Sequence, residues 1–91
     1  MYLCIDIGNS QVHCGVFSAT GELQVQFRHN TAHVGSSVQF AVFLLQVLRE
    51  NNIEPNLLRN VAIASVVPSV DYSVTAAFLK YFNLKPLFLQ P

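Results

Sequence analysis

Apolar residues run almost without a break from Tyr2 to Ile7, a pattern that fits a central strand buried on both faces. Gly8-Asn9-Ser10 then bring turn chemistry, and a second β-rich run, Val12 to Phe17, follows at once, which predicts an antiparallel hairpin. The tract Ser18-Ala19-Thr20-Gly21 turns the chain again. Beyond it Leu23, Val25 and Phe27 alternate with Gln24, Gln26 and Arg28, a period of two that predicts a third strand with one solvated face.

From His29 to Gly35 the pattern is polar and irregular, and it reads as a loop. Ser36-Ser37 then offers an N-cap for a helix to about Asn51. Val38, Ala41, Leu44, Leu45 and Leu48 recur at helical spacing, and Phe40, Phe43 and Val47 widen the stripe, so this helix should pack on two sides. The β-branched run Val61 to Val67 predicts a fully buried fourth strand stopped by Pro68. Asp71 or Ser73 caps a second helix to about Phe82, with Val74, Ala77, Phe78 and Tyr81 on one face, and Leu87-Phe88-Leu89 makes a fifth strand.

The element order is therefore β-β-β-α-β-α-β, an α/β arrangement. Helical crossovers return strands parallel to the ones before them, so the five-stranded sheet is mixed, with strand one central. This order describes half of the duplicated actin-like, or ribonuclease H-like, phosphotransferase architecture. No internal repeat, linker or low-complexity tract divides the chain.

Composition adds a constraint. Hydrophobic residues make up 52% of the 91 and charged ones only 11%, against about 25% in an ordinary domain. A single small domain with that much apolar surface implies that more protein, from the same chain or a partner, covers part of it. Five basic residues balance five acidic ones without clustering, which gives no footprint for nucleic acid or anionic lipid. Cys4 and Cys14 lack paired metal or redox spacing and read as buried, reduced thiols. The N-terminus lacks a cationic leader, and Asp6 interrupts its apolar run, so neither a signal peptide nor a membrane span is expected and the cytoplasm is the default address.

Asp6 is the chemical feature that needs a reason, because an unpartnered carboxylate inside an apolar strand is costly. On one reading it stands at the carboxyl end of the central strand and holds a hydrated Mg²⁺. Gly8 then lets the backbone approach phosphate oxygens, and Asn9, Ser10 and Gln11 add donors. On the other reading its side chain caps the backbone of its own turn. The remaining candidates are plainer. Asp71 reads as a helix cap, His13 as a packing or hydrogen-bonding histidine, and His29 and His33 as solvated. Ser65 lacks the context of a nucleophile elbow. The Phe40, Phe43, Leu44, Val47 stripe is core or interface.

Cys4-Ile5-Asp6-Ile7-Gly8-Asn9-Ser10 resembles the opening phosphate motif, D-x-G-N-T/S, of type III pantothenate kinases, and Gly15-Val16-Phe17 matches the hairpin strand that follows it there. Gly21-Glu22-Leu23 and the arm Arg28 to Thr31 are similar to that family's third strand. Ala64-Ser65-Val66-Val67-Pro68 resembles its S-V-V-P segment, and Lys80-Tyr81-Phe82 with Lys85-Pro86-Leu87 its K-Y-F and K-P-L stretch. The resemblance covers nearly the whole chain. It implies ATP-dependent phosphorylation of pantothenate to 4′-phosphopantothenate, the first step toward coenzyme A, with Mg²⁺ and a monovalent cation (K⁺ or NH₄⁺), by a homodimer.

By the same resemblance Asp6, Ile7, Gly8, Asn9, Ser10, Gln11, Val12 and His13 form the first ATP-binding segment. Asp6 serves Mg²⁺ through water or phosphate, and Gln11, Val12 and His13 match by place rather than type. The family's general-base aspartate, in a G-A-D-R segment, its second phosphate motif and its cation-binding aspartate are expected beyond residue 91. Residues 1–91 are thus read as the N-terminal, ATP-phosphate-binding half of a two-domain kinase, inactive alone. Two other functions stay open: a non-catalytic nucleotide- or partner-binding relative, and a metal-dependent nuclease of the ribonuclease H-like fold. The nuclease needs further carboxylates and a basic surface.

Overall fold

The computed structural model describes residues 1–89. β1 (Tyr2–Ile7), β2 (Gln11–Phe17) and β3 (Leu23–Asn30) meander antiparallel. α1 (Ser37–Glu50) then carries the chain across to β4 (Asn60–Ser65), and α2 (Pro68–Ala77) leads through a π-helical turn (Phe78–Phe82) to β5 (Leu87–Phe88). Strand order is β3-β2-β1-β4-β5, with β4 parallel to β1 and β5 parallel to β4. The mixed sheet, the order of elements along the chain and the central place of β1 are as the sequence implies.

Local chemistry accounts for the helices. Ser36 Oγ accepts from the Gln39 N–H at 3.3 Å while Gln39 Oε1 accepts from the Ser36 N–H at 2.8 Å, a reciprocal capping box. Asn51 closes α1, and Asn52 follows in the left-handed region at φ 59°. α2 starts earlier than its expected cap at Asp71 or Ser73. Pro68 occupies the first turn, where its missing N–H costs nothing and its fixed φ suits the helix. The residue expected to stop β4 therefore also starts α2.

Both helices lie on one face of the sheet. Leu3, Ile5 and Ile7 of β1, Val12 and Val16 of β2, and Val61 and Ile63 of β4 are buried against Phe40, Ala41, Leu44 and Leu48 of α1 and Val74 and Ala77 of α2. Each fully buried aliphatic or aromatic side chain there contributes roughly 1.5–3 kcal/mol. Phe40 of α1 and Phe78 of the π-helical turn that follows α2 meet edge-on at 6.2 Å.

The expected double burial of β1 and β4 does not hold. β1 alternates strictly, with Tyr2, Cys4 and Asp6 exposed between buried Leu3, Ile5 and Ile7. In β4 Ala62 and Ala64 stay half-buried, and Val66 and Val67 lie outside the strand. An apolar run reports hydrophobicity on both faces, but among the described residues only one face is covered. Three smaller expectations also change. Val38 of the α1 stripe is exposed, Cys4 is exposed while Cys14 is buried, and β3 continues through His29 and Asn30. Among the described residues no helix is long and apolar enough to cross a membrane.

Candidate functional site: the turn after the central strand

The hairpin between β1 and β2 closes with the Gly8 N–H donating to the Gln11 carbonyl at 2.9 Å, leaving Asn9 and Ser10 at the tip. Neither the N–H groups nor the side chains of Asn9 and Ser10 make a hydrogen bond among the described residues, and both residues are exposed. Two adjacent free amides at an exposed turn are the kind of donor set that receives phosphate oxygens. Gly8 is not in the left-handed region. A Cβ there would stand 3.2 Å from the Gln11 carbonyl oxygen, so the close approach of the two strands favours glycine.

This turn is tied down by the residue that directly follows β3. Thr31 Oγ1 donates to the Gly8 carbonyl at 2.8 Å, and the Thr31 N–H donates to the Ser10 carbonyl at 3.0 Å. In the sequence Thr31 reads as one residue of a polar stretch. The signal was weak: a single threonine directly after an alternating strand.

Asp6 lies on the open face of the sheet, opposite His13 in the β1–β2 register and beside Ala64 of β4. Its carboxylate makes no hydrogen bond among the described residues, so it does not cap its own turn. The cost of a carboxylate in this strand is instead avoided by exposure. Asp6 and His13 line an open cleft of about 420 Å³ together with Cys4, Gly15, Phe17 and Ala64. His13 is thus an exposed cleft residue rather than a packing one. Ile7 and Val12 of the predicted segment are fully buried and support the turn from below, and Gln11 is exposed beside it.

The Ser65–Pro68 segment adjoins the same end of the sheet. The Val66 N–H donates to the Ile7 carbonyl at 3.1 Å, and Ser65 Oγ accepts from the Val67 N–H at 3.1 Å. Asp71 follows in the first turn of α2. It makes no capping bond, and its Oδ1 is buried without a partner. The expected helix-cap role is therefore not what this side chain does, because the earlier helix start moves it past the cap position. His29, expected to be solvated, is half-buried and stacks on Phe43 at 3.9 Å between ring centroids; its Nε2 lies 3.2 Å from the exposed His33's carbonyl. Among the described residues no three His, Cys, Asp or Glu side chains form a group able to hold a metal unaided. Cys14 is a buried thiol whose pKa desolvation pushes from 9.0 to about 12.

The fold is an α/β fold of the actin-like kind, with a mixed five-stranded sheet. A solved structure from Sinorhizobium meliloti, of a protein provisionally assigned as a 2-dehydro-3-deoxygalactonokinase, shares the fold. Its TM-score is 0.53 at 17% identity, over 72% of this chain and 21% of that one. The sequence model of the type III pantothenate kinase family matches residues 2–91, and the chain belongs to that family. A type III pantothenate kinase of Legionella pneumophila is 50% identical over 90 residues, covering 99% of this chain and 34% of the relative. Type III pantothenate kinase 2 of Francisella tularensis subsp. holarctica is 46% identical, covering 98% of this chain and 35% of the relative. The chain spans about a third of the length of these curated relatives. None of these similarities favours the nuclease or the non-catalytic alternative.

Proposed function

We propose that residues 1–91 form the ATP-phosphate-binding half of a two-domain kinase that phosphorylates pantothenate to 4′-phosphopantothenate. The observation that carries this reading is the exposed Asn9-Ser10 turn with two free amides, placed at the carboxyl end of the central strand and held there from two sides. The family match supports the substrate and the use of ATP. In this reading Asp6, Gly8, Asn9 and Ser10 do most of the binding. Gln11 flanks them, Ile7 and Val12 shape the turn, and His13 lines the approach.

Asp6 fits a Mg²⁺ role of one kind only. Its carboxylate is exposed and free of internal partners, and no further acidic or imidazole group gathers around it. It therefore holds the cation through water or shared phosphate oxygens rather than in a protein cage. When bound, Mg²⁺ neutralises charge on the transferring phosphoryl group. Asn9 and Ser10 orient the phosphate chain with their amides, and Asp6 supplies the fixed negative charge beside it.

The general base for the pantothenate hydroxyl and the ligands of a monovalent cation, K⁺ or NH₄⁺, lie outside residues 1–91 in this reading. A hydroxyl nucleophile needs a positioned base, so the 91-residue chain binds nucleotide without turning it over. The complete kinase is a cytoplasmic homodimer, with no nucleic-acid or membrane partner. Calorimetric titration of the chain with ATP, with and without Mg²⁺, tests the binding half of the proposal. Mg²⁺-dependent binding that is lost in Asp6→Asn supports it, and Mg²⁺-independent binding unaffected by Asp6→Asn contradicts it.

A further inference from the structure

We infer that Thr31 is a positioning residue for the nucleotide-phosphate turn: its hydroxyl fixes the orientation of the Gly8–Asn9 peptide and thereby aims the Asn9 N–H at the phosphate. The inference rests on the reading that this turn binds the phosphate chain, and adds a residue that does not itself touch nucleotide.

Among the described residues Thr31, at 6% exposure, is the one polar or charged residue, thiols apart, that is buried as a whole. A buried hydroxyl is retained where it is paired, and this one is paired at 2.8 Å with a carbonyl 23 residues earlier in the chain. The acceptor is Gly8, within the turn itself. A trans peptide is planar, so the carbonyl of Gly8 and the N–H of Asn9 point in opposite directions. Holding the carbonyl toward Thr31 therefore holds the Asn9 N–H away from Thr31, toward solvent, where that group makes no internal hydrogen bond.

A second bond acts on the far side of the tip, where the Thr31 N–H donates to the Ser10 carbonyl at 3.0 Å. One residue thus clamps both peptides that bracket Asn9 and Ser10. The clamp is itself capped. Asn30 Oδ1 accepts from the Ala32 N–H at 3.0 Å and caps the short 3₁₀ turn Thr31–His33, which fixes the backbone from which Thr31 reaches inward. Without the hydroxyl, the Gly8–Asn9 peptide loses the bond that fixes its orientation, because the Gly8 carbonyl has no other partner among the described residues. The Asn9 amide would then have to be ordered by the ligand, at a cost to affinity.

Thr31→Val keeps the shape and removes the donor, and Thr31→Ser keeps the donor. We would titrate ¹⁵N-labelled 91-residue chain with Mg²⁺ and a non-hydrolysable ATP analogue, following the Asn9 and Ser10 amides, with melting temperature as the check on folding. The expected result is that Thr31→Val binds roughly three- to tenfold more weakly than wild type, the loss expected for one hydrogen bond, while Thr31→Ser stays within about twofold. Thr31→Ala gives the same comparison if Thr31→Val does not fold. Wild-type affinity in a folded Thr31→Val, or equal losses in Thr31→Val and Thr31→Ser, would overturn the positioning role and leave the binding reading intact. A wild-type chain whose Asn9 and Ser10 amides do not respond to the analogue would overturn the binding reading, and the inference with it.

Discussion

The Val66 N–H donates to the Ile7 carbonyl at 3.1 Å, so the segment that follows β4 is fastened to the last residue of β1. That bond brings the Ser65–Pro68 stretch beside the Asp6–Ser10 turn, although some 55 residues of sequence separate them. Parallel pairing of β1 with β4, Ile7 opposite Ser65, is what makes the two loops neighbours. In α/β sheets ligands gather beyond the carboxyl ends of such strands.

Asp6→Asn should leave the fold intact, because the side chain is exposed and makes no internal bond. It should weaken Mg²⁺-dependent nucleotide binding by about tenfold or more, the scale of a lost charge-assisted contact. Titration calorimetry with and without Mg²⁺, paired with a thermal melt, reads both halves of that expectation.

Gly8→Ala places a methyl group 3.2 Å from the Gln11 carbonyl oxygen, a tight contact with backbone. We expect a loss of about 1 kcal/mol in urea unfolding and a larger loss in nucleotide affinity, because the contact distorts the turn itself. A neutral effect on both would mean that the turn widens easily.

The two cysteines should separate cleanly. Iodoacetamide at pH 8 should label exposed Cys4 in the native chain and reach Cys14 only after unfolding. The Cys14 thiol, pushed from 9.0 to about 12 by burial, also gives the stability a pH dependence. Below pH 9 the thiol is protonated in folded and unfolded chains alike, and its stability contribution is fully present. From about pH 9 to pH 12 the unfolded chain gives up the proton and the folded chain holds it, so stability falls as pH rises. Cys14→Ala should flatten that part of the urea-midpoint profile.

Ser36→Ala removes one half of the capping box on α1 and should cost about 1 kcal/mol without affecting nucleotide binding. Chemical denaturation and the same titration check the two statements separately.

Much of this was legible from the sequence, for local reasons. The Asp6–Ser10 turn is written in contiguous residues, and the Ser36 cap and the alternation of Leu23, Val25 and Phe27 are local too. What escaped depends on contacts between distant segments. Tyr2 and Cys4 look like core residues in the sequence, and only the placement of both helices on one sheet face shows them exposed. His29 looks solvated until Phe43, on a helix, stacks against it. Thr31 looks like loop, and its role exists only because β3 returns alongside β2 and delivers it beneath Gly8. Pro68 reads equally well as a strand breaker and as a helix opener, and it serves as both.

The most direct test of the account is pantothenate-dependent ADP release, measured with Mg²⁺ and K⁺ on the 91-residue chain alone and on a mixture with the complementary C-terminal segment of the Legionella pneumophila relative. The account predicts no turnover by the chain alone and turnover in the mixture that disappears with Asp6→Asn. Turnover by the chain alone, or turnover in the mixture that is undiminished by Asp6→Asn, would contradict it.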